Sequence, residues 1–571
     1  MRLSFSISTA FAASLASFAS GFGLRSDLAK SLQLAAELRL DSDLLLKDLQ
    51  SFRTAVTQVA PPAEYVLVDS RFLMAIRAGT NALQLPIDHN NPGIGTFRNR
   101  YWVNDEYYVP GGPVILYDVG EADGEPSAAH LRSNTSFLPP VLQEFGAVGI
   151  VWEHRYYGDS SPYPINNNTP PEHLKYLTTR QALADIPAFA ENFTRPGLQE
   201  YDLTPRSTPW IMIGGSYPGT RAAFARNEYP DTIFASFASS APVQAQINMS
   251  IYYEQIYRSM AANGFRSCAS NIHAALEYID NQLSQEDTAA SVKRLFFGAG
   301  AEKNSNEDFT QALALIYGSF QTYGMNGPAG SLGDFCRYFE SDPVTRKTAG
   351  PEGLTFKNGN RSLAERWAEW PIFTQLVNVN YETNCKGLDK SAAPSCELNK
   401  PVTDPSAIAW TWQYCTQWGF YQSNNEGIHS LLSRYQTLEF QQVMCNRQFP
   451  DAVKNGLLPP QPQVDALNAE FGGWNIRPSN VYFSAGEFDP WRTLTLLSAE
   501  EFSLQLNVSS DLPRCGVRTG PDTVFGYVGA NQVHCFDFQL GSEAGEVSRG
   551  YFRRALKEWL PCFEKQQEGN T

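Results

Sequence analysis

The sequence predicts an α/β protein with a parallel sheet, and three observations carry that reading. Short apolar runs recur at Pro113–Tyr117, Ala147–Trp152, Pro209–Ile213 and Thr232–Phe237, bounded by Gly and Pro. Continuous apolar runs of this length suit strands covered on both faces. Helix-like stretches at Thr179–Asn192 and Thr220–Asn227 alternate with them, and strand–helix–strand alternation is the parallel pattern. The third run leads through Gly214-Gly215-Ser216 directly into helix-forming residues.

The elements follow in chain order. Met1-Arg2-Leu3 carries one positive charge, and an apolar Ala/Ser-rich stretch follows from Phe5 to Phe18. Small residues then fall at cleavage spacing, so 1–19 reads as a secretory signal peptide. Leucines at roughly helical spacing (Leu24, Leu28, Leu32, Leu38, Leu45, Leu49) make 20–60 a helical segment or a propeptide. Residues 61–245 hold the four strands. Pro187 should kink or break the helix it lies in, because it lacks the N–H and its ring crowds the preceding turn. Residues 246–475 turn helical, with candidates at Ile251–Asn263, Ile272–Leu283, Asp308–Tyr317 and Ser362–Val377. Residues 476–571 return to a strand at Val481–Phe483 and close with a helix over Glu546–Trp559.

Composition excludes several function classes. The net charge of −15 repels nucleic acid and anionic membranes. No run of 18 apolar residues exists to span a bilayer. All nine cysteines lie at or after Cys268. In an exported chain most should pair, Cys385 and Cys396 could close a short loop, and an odd number leaves one over. Six Asn-x-Ser/Thr sequons, at Asn134, Asn167, Asn192, Asn248, Asn360 and Asn507, fit export mildly.

The chemistry centres on Ile211–Phe224. An apolar strand, a small-residue turn bearing Ser216 and a following helix are the context of a nucleophile elbow. A serine there stands at a helix N-terminus, where backbone N–H groups can stabilise an oxyanion. The strict Gly-x-Ser-x-Gly pattern is not met, since Pro218 takes the last glycine's place. A glycine-rich strand end with an incidental serine would look similar. In the order Ser, Asp or Glu, His, only His273, His429 and His534 can supply the base. His273 and His429 lie in helical patterns, whereas His534 follows Gly526 and Gly529 in a loop-like stretch. The acid should end the strand before it. Asp489 is favoured over Glu487 there because Pro490 restricts its backbone. Asp537 is too close in sequence to His534 to be its natural partner. In these roles Ser216 attacks, His534 shuttles the proton and Asp489 holds the imidazole. Cys535 as the nucleophile is disfavoured, since neighbouring side chains diverge and exported cysteines tend to pair.

These blocks resemble a known family. GGPVILYDVGEAD (111–123), EHRYYGDSSPYP (153–164), GGSYPGTRAAFARNEYP (214–230), ASSAPV (238–243), WQYCTQWGFYQ (412–422) and SAGEFDPWR (484–492) occur in order. The chain is similar to the secreted and lysosomal serine peptidases that include prolyl-X carboxypeptidase, dipeptidyl peptidase II and fungal prolyl endopeptidases. The resemblance implies an α/β-hydrolase fold with a large inserted helical cap at 246–475, between hydrolase parts 61–245 and 476–571. It implies cleavage on the carboxyl side of proline with Ser216, Asp489 and His534 as the triad; the signal peptide makes the enzyme secreted and extracellular, and no metal or other cofactor is expected. Tyr217 then gives one oxyanion-hole N–H, and the Gly120-Glu121 loop, entered at Gly120, gives the second. Trp491 becomes the wall of a proline pocket. Proline-containing peptides are the expected partners, with a homodimer as a candidate assembly. Pro218, Ala485 and Gln417 depart from the family pattern, and Gln417 bears on how a substrate end group is recognised. A carboxylester hydrolase on the same fold, and a silent binding protein, are the competing readings.

Overall fold

The computed structural model describes residues 81–569 apart from 343, 346, 351 and 352; the expected signal peptide and the 20–60 segment lie outside the described residues. Eleven strands are present among them: β1 (Asn81–Pro86), β2 (Thr96–Asn104), β3 (Val114–Asp118), β4 (Val148–Trp152), β5 (Trp210–Gly215), β6 (Ala235–Ser239), β7 (Gln246–Asn248), β8 (Gly419–Tyr421), β9 (Val481–Gly486), β10 (Asn507–Ser509) and β11 (Thr523–Gly529). Nine of them form one sheet in the order β1-β2-β4-β3-β5-β6-β9-β11-β10, while β7 and β8 pair separately. The pairs β1–β2 and β2–β4 are antiparallel, and every other neighbouring pair in the large sheet is parallel. This is the α/β-hydrolase arrangement.

The strands expected from continuous apolar runs are β3 to β6 and β9, and every residue in them is buried. Helices cover both faces: α1 (Leu138–Phe145), α2 (Thr179–Asn192) and α3 (Tyr217–Glu228). The expected break at Pro187 does not occur, and α2 runs through it. Leu183, Ile186, Phe189 and Ala190 on this helix are all fully buried, and that packing offsets the one backbone bond proline removes.

The chain between β6 and β9 is mainly helical, opening with α4 (Ile251–Ala262) and α5 (Arg266–Leu283) and later holding α6 (Pro405–Gln413). The single helix expected over Ser362–Val377 is two, Thr355–Ala368 and Phe373–Tyr381. Trp370-Pro371 separates them, because a residue before proline is pushed out of helical geometry. Three disulfides lie in this stretch: Cys268–Cys336, Cys385–Cys396 and Cys415–Cys445. A fourth, Cys515–Cys562, ties the terminal helix α7 (Glu543–Gly569) to the segment after β10.

The block after β4 is a set of buried ionic joints. Glu153 takes two bonds from Arg100, at 2.8 and 2.6 Å. Arg155 donates to both oxygens of Asp185 on α2 at 2.6 Å, and to the carbonyls of Pro86, Ile87 and Tyr176. Burial pushes the Asp185 carboxyl up, but the Arg155 guanidinium overrides it and holds the group below the usual range. Neither side chain of this pair is more than 1% exposed. Replacing Asp185 by Asn would strand the arginine charge, a change that costs about 3–5 kcal/mol for buried pairs. Urea unfolding of Asp185→Asn should show a loss of that size; a loss within about 0.5 kcal/mol, as at an ordinary surface site, would show the joint is not structural.

Candidate active site

Ser216 lies between the last residue of β5 and the first of α3. Its backbone is at φ 66°, ψ −132°, a region non-glycine residues rarely occupy. Two bonds hold it there: its N–H donates to the Ser239 carbonyl at the end of β6 (2.9 Å), and its carbonyl accepts from Thr220 (3.0 Å). Strain of this kind persists only where the surroundings over-determine it, and it collects at active sites.

Asp489 and His534 come from the ends of β9 and β11. His534 Nδ1–H donates to Asp489 Oδ1 at 2.8 Å, with both side chains fully buried. The same oxygen accepts from the Trp491 N–H at 2.9 Å, which fixes the carboxylate's direction. The competing acid, Glu487, is used elsewhere and accepts the Asn531 N–H at 2.7 Å. His429 is in a turn rather than the helix expected, with its Nδ1 3.0 Å from Glu254 Oε1. His273 is helical, on α5.

Strand β11 is three places from β5 in the sheet, roughly 14 Å at the usual strand spacing. The His534 loop spans that gap by three ties. The Phe488 N–H donates to the Gln532 carbonyl at 2.9 Å, joining the two loops. The Cys535 N–H donates to Ser240 Oγ at 2.9 Å, just past β6. Asp537, fully buried, accepts from Ser239 Oγ (2.5 Å) and Ser548 Oγ (2.7 Å). Asp537 is therefore the anchor of the histidine loop, a role its sequence position did not reveal. The Cys535 thiol reaches under Gly215, where an added Cβ would stand 2.9 Å from the sulfur. Burial pushes that thiol well above its ordinary pKa, so it is not a thiolate.

An oxyanion here calls for two backbone donors. Tyr217 is the first residue of α3, so its N–H has no partner inside the helix. Gly120 approaches the same helix so closely that an added Cβ would meet Pro218 at 2.2 Å. Its own N–H, however, donates to Asp118 Oδ1 at 3.0 Å, so Gly120 shapes the loop and its amide is already engaged. Asp118 is in turn held by Arg221 at 2.8 Å.

Trp491 is buried, and its Nε1–H donates to Gln321 Oε1 at 2.8 Å. Phe420 and Tyr252 meet it edge-on at 5.0 and 5.7 Å between ring centres. The aromatic stretch around Trp410 and Trp418 packs on the Tyr217 ring, at 5.3 and 5.7 Å. Gln417 accepts from the Thr179 N–H (2.8 Å) at the start of α2. It is a tie between segments. Among the described residues, no cluster of His, Cys, Asp and Glu is placed to hold a metal ion.

The family model described as "Serine carboxypeptidase S28" matches residues 86–508, a span that holds Ser216 and Asp489 and ends before His534. A protein named "Probable extracellular serine carboxypeptidase" in Arthroderma benhamiae is 29% identical over 72% of this chain; the match spans only 58% of that relative. "Thymus-specific serine protease" of Mus musculus is 28% identical over 85% of this chain and 88% of its own. "Lysosomal Pro-X carboxypeptidase" of Bos taurus is 25% identical over 86% and 90% respectively.

Glu121, beside Gly120, couples the stability of the fold to pH. It is buried, and its Oε2 has no hydrogen-bond partner among the described residues. Burial pushes its carboxyl from an ordinary 4.5 up to about 8. An acid that holds its proton longer when folded favours the fold fully below the unfolded value. That advantage is lost progressively as pH rises toward the folded one. The melting temperature should therefore fall between pH 5 and 8, and Glu121→Gln should flatten part of that fall. An unchanged slope in the variant would remove Glu121 as its source.

Proposed function

As the chain belongs to the serine carboxypeptidase S28 family, it is a serine-type peptidase, and we propose that it cuts on the carboxyl side of proline through Ser216, Asp489 and His534. The observation that carries this reading is the buried 2.8 Å bond between His534 Nδ1–H and Asp489 Oδ1. It leaves Nε2 as the basic nitrogen of the ring, on a loop tied to the strand beside Ser216.

In this reading Ser216 Oγ attacks the peptide carbonyl carbon as His534 Nε2 takes its proton. The carbonyl oxygen becomes an oxyanion, held by the Tyr217 N–H and by a second backbone amide of the Gly120-Glu121 loop. The tetrahedral species collapses, His534 gives its proton to the departing amine, and Ser216 carries the acyl group as an ester. Water then repeats the sequence, activated by His534, and frees the acid and the serine. Asp489 stays ionised and fixes the imidazole.

The proline preference is supported by Trp491, whose flat indole Gln321 holds in place. Such a face suits a rigid apolar pyrrolidine ring. It agrees with the printed name of the bovine relative. Residues 246–475 are read as a cap over a hydrolase domain made of 61–245 and 476–571. Export to the extracellular space is supported by four disulfides and by exposed sequon asparagines at 134, 167, 192, 248 and 507. Among the described residues no helix is long and apolar enough to cross a membrane.

Ser216→Ala should abolish cleavage of a proline-containing chromogenic peptide while circular dichroism stays native; full activity in that variant would end the proposal. Mass spectrometry of products from one proline-containing peptide, with free and blocked termini, should show cleavage after proline. Turnover of simple esters with no peptide cleavage would favour an esterase instead.

A further inference from the structure

The hydroxyl of Tyr217 takes part in a buried chain of hydrogen bonds that the reaction scheme does not use. Tyr157 O–H donates to Gln413 Oε1 (2.6 Å), and Gln413 Nε2–H donates to the Tyr217 hydroxyl oxygen (2.9 Å). His154 Nε2 is 3.1 Å from that hydroxyl, and His154 Nδ1 is 2.6 Å from the Arg155 carbonyl. A carbonyl can only accept, so Nδ1 carries the proton. Burial and the nearby Arg221 hold His154 well below its ordinary pKa, so the ring is neutral. Nε2 then accepts, and Tyr217 O–H donates to it. Every member of the chain is at most 2% exposed.

The direction of each bond is fixed by its neighbours. The amide of Gln413 can serve both tyrosines in one orientation only. Gln413 ends α6, between β6 and β9, whereas Tyr157 and His154 follow β4 and Tyr217 opens α3. The inserted segment thus reaches the residue next to the nucleophile through one amide. Immediately after Gln413 the backbone forms a π-helical turn over Tyr414–Trp418, a feature often found at functional sites.

We infer that Gln413 is a positioning residue for the reaction: through the Tyr217 hydroxyl it sets the Tyr217 side chain, and with it the backbone N–H that receives the oxyanion. The inference rests on the reading of Ser216 as nucleophile. The indoles of Trp410 and Trp418 confine the Tyr217 ring from the sides, but only the hydrogen-bonded chain fixes its far end. A donor misplaced by a fraction of an ångström loses part of its effect, and complete removal of one oxyanion donor costs about 100- to 1,000-fold in rate.

The test compares Gln413→Leu, Gln413→Glu, Tyr217→Phe and the double variant Gln413→Leu/Tyr217→Phe on a proline-containing chromogenic peptide. Gln413→Leu should lower kcat roughly tenfold, part of the full oxyanion effect, with KM within twofold. Tyr217→Phe keeps the amide and should lose a similar factor. The double variant should be no worse than either single one, because both act through one bond. Gln413→Glu should be impaired at neutral pH, where an ionised carboxylate cannot donate to Tyr217. It should recover in part at acidic pH, where the protonated form can; Gln413→Leu should not recover. A KM effect with kcat unchanged, or fully multiplicative losses in the double variant, would overturn the inference. A fluorophosphonate keeps the two readings apart: normal labelling of wild-type Ser216 with unaffected variants refutes only the positioning role. No labelling of wild-type Ser216 refutes the nucleophile itself.

Discussion

The rest of the site depends on one strained residue. Ser216 sits at φ 66° because β5 ends there and α3 begins there, and its N–H is held by β6 through the Ser239 carbonyl. That conformation costs on the order of 1–3 kcal/mol, and the packed sheet on either side offsets it. The gain is geometric. Ser216 follows the strand directly, with the first amides of a helix behind it.

Other parts of the structure gather around this junction. The end of β6 holds Ser216 through Ser239 and also holds the histidine loop through Ser239 and Ser240. Ser216 and the His534 loop are thus both tied to the end of β6. The Gly120 loop presses on Pro218, and Gln413 reaches the hydroxyl of Tyr217. Pro218, two residues after Ser216 and a departure from the strict elbow pattern, is the surface on which that loop rests. The disulfides lie elsewhere: three brace the segment between β6 and β9, and the fourth holds the terminal helix. The one unpaired cysteine is the one beside the histidine, where its thiol fills the space beneath Gly215.

What was legible in the sequence follows from range. Strands β3 to β6 and β9 are covered on both faces, so their apolar runs announce them. Strand β1, at a sheet edge, buries only Leu85, β10 has three residues, and β11 contains two glycines, so no comparable run marks them. Ser216, Asp489 and His534 could be singled out because each follows its own local signal. The supports could not. Gln413 and Tyr217 are 196 positions apart, and Asp537 and Ser239 are 298 apart. Contacts over such distances leave no local pattern. The engaged amide of Gly120 was hidden for a different reason: a glycine in a loop looks the same whether its N–H faces a substrate or a carboxylate two residues back. Pro187 misled because its local cost was visible while the packing that offsets it was not.

We propose that this serine peptidase is specific for proline and acts through Ser216. A phosphonate ester built on a prolyl residue tests it most directly, since it reacts only with a nucleophile that a base has activated and a pocket has aligned. Serine Oγ displaces the aryloxide from phosphorus and leaves a stable adduct that peptide mass spectrometry can locate. One adduct is expected, on the peptide containing Ser216, formed by wild type and lost in His534→Ala. An adduct on any other residue, or equal labelling without His534, would contradict it.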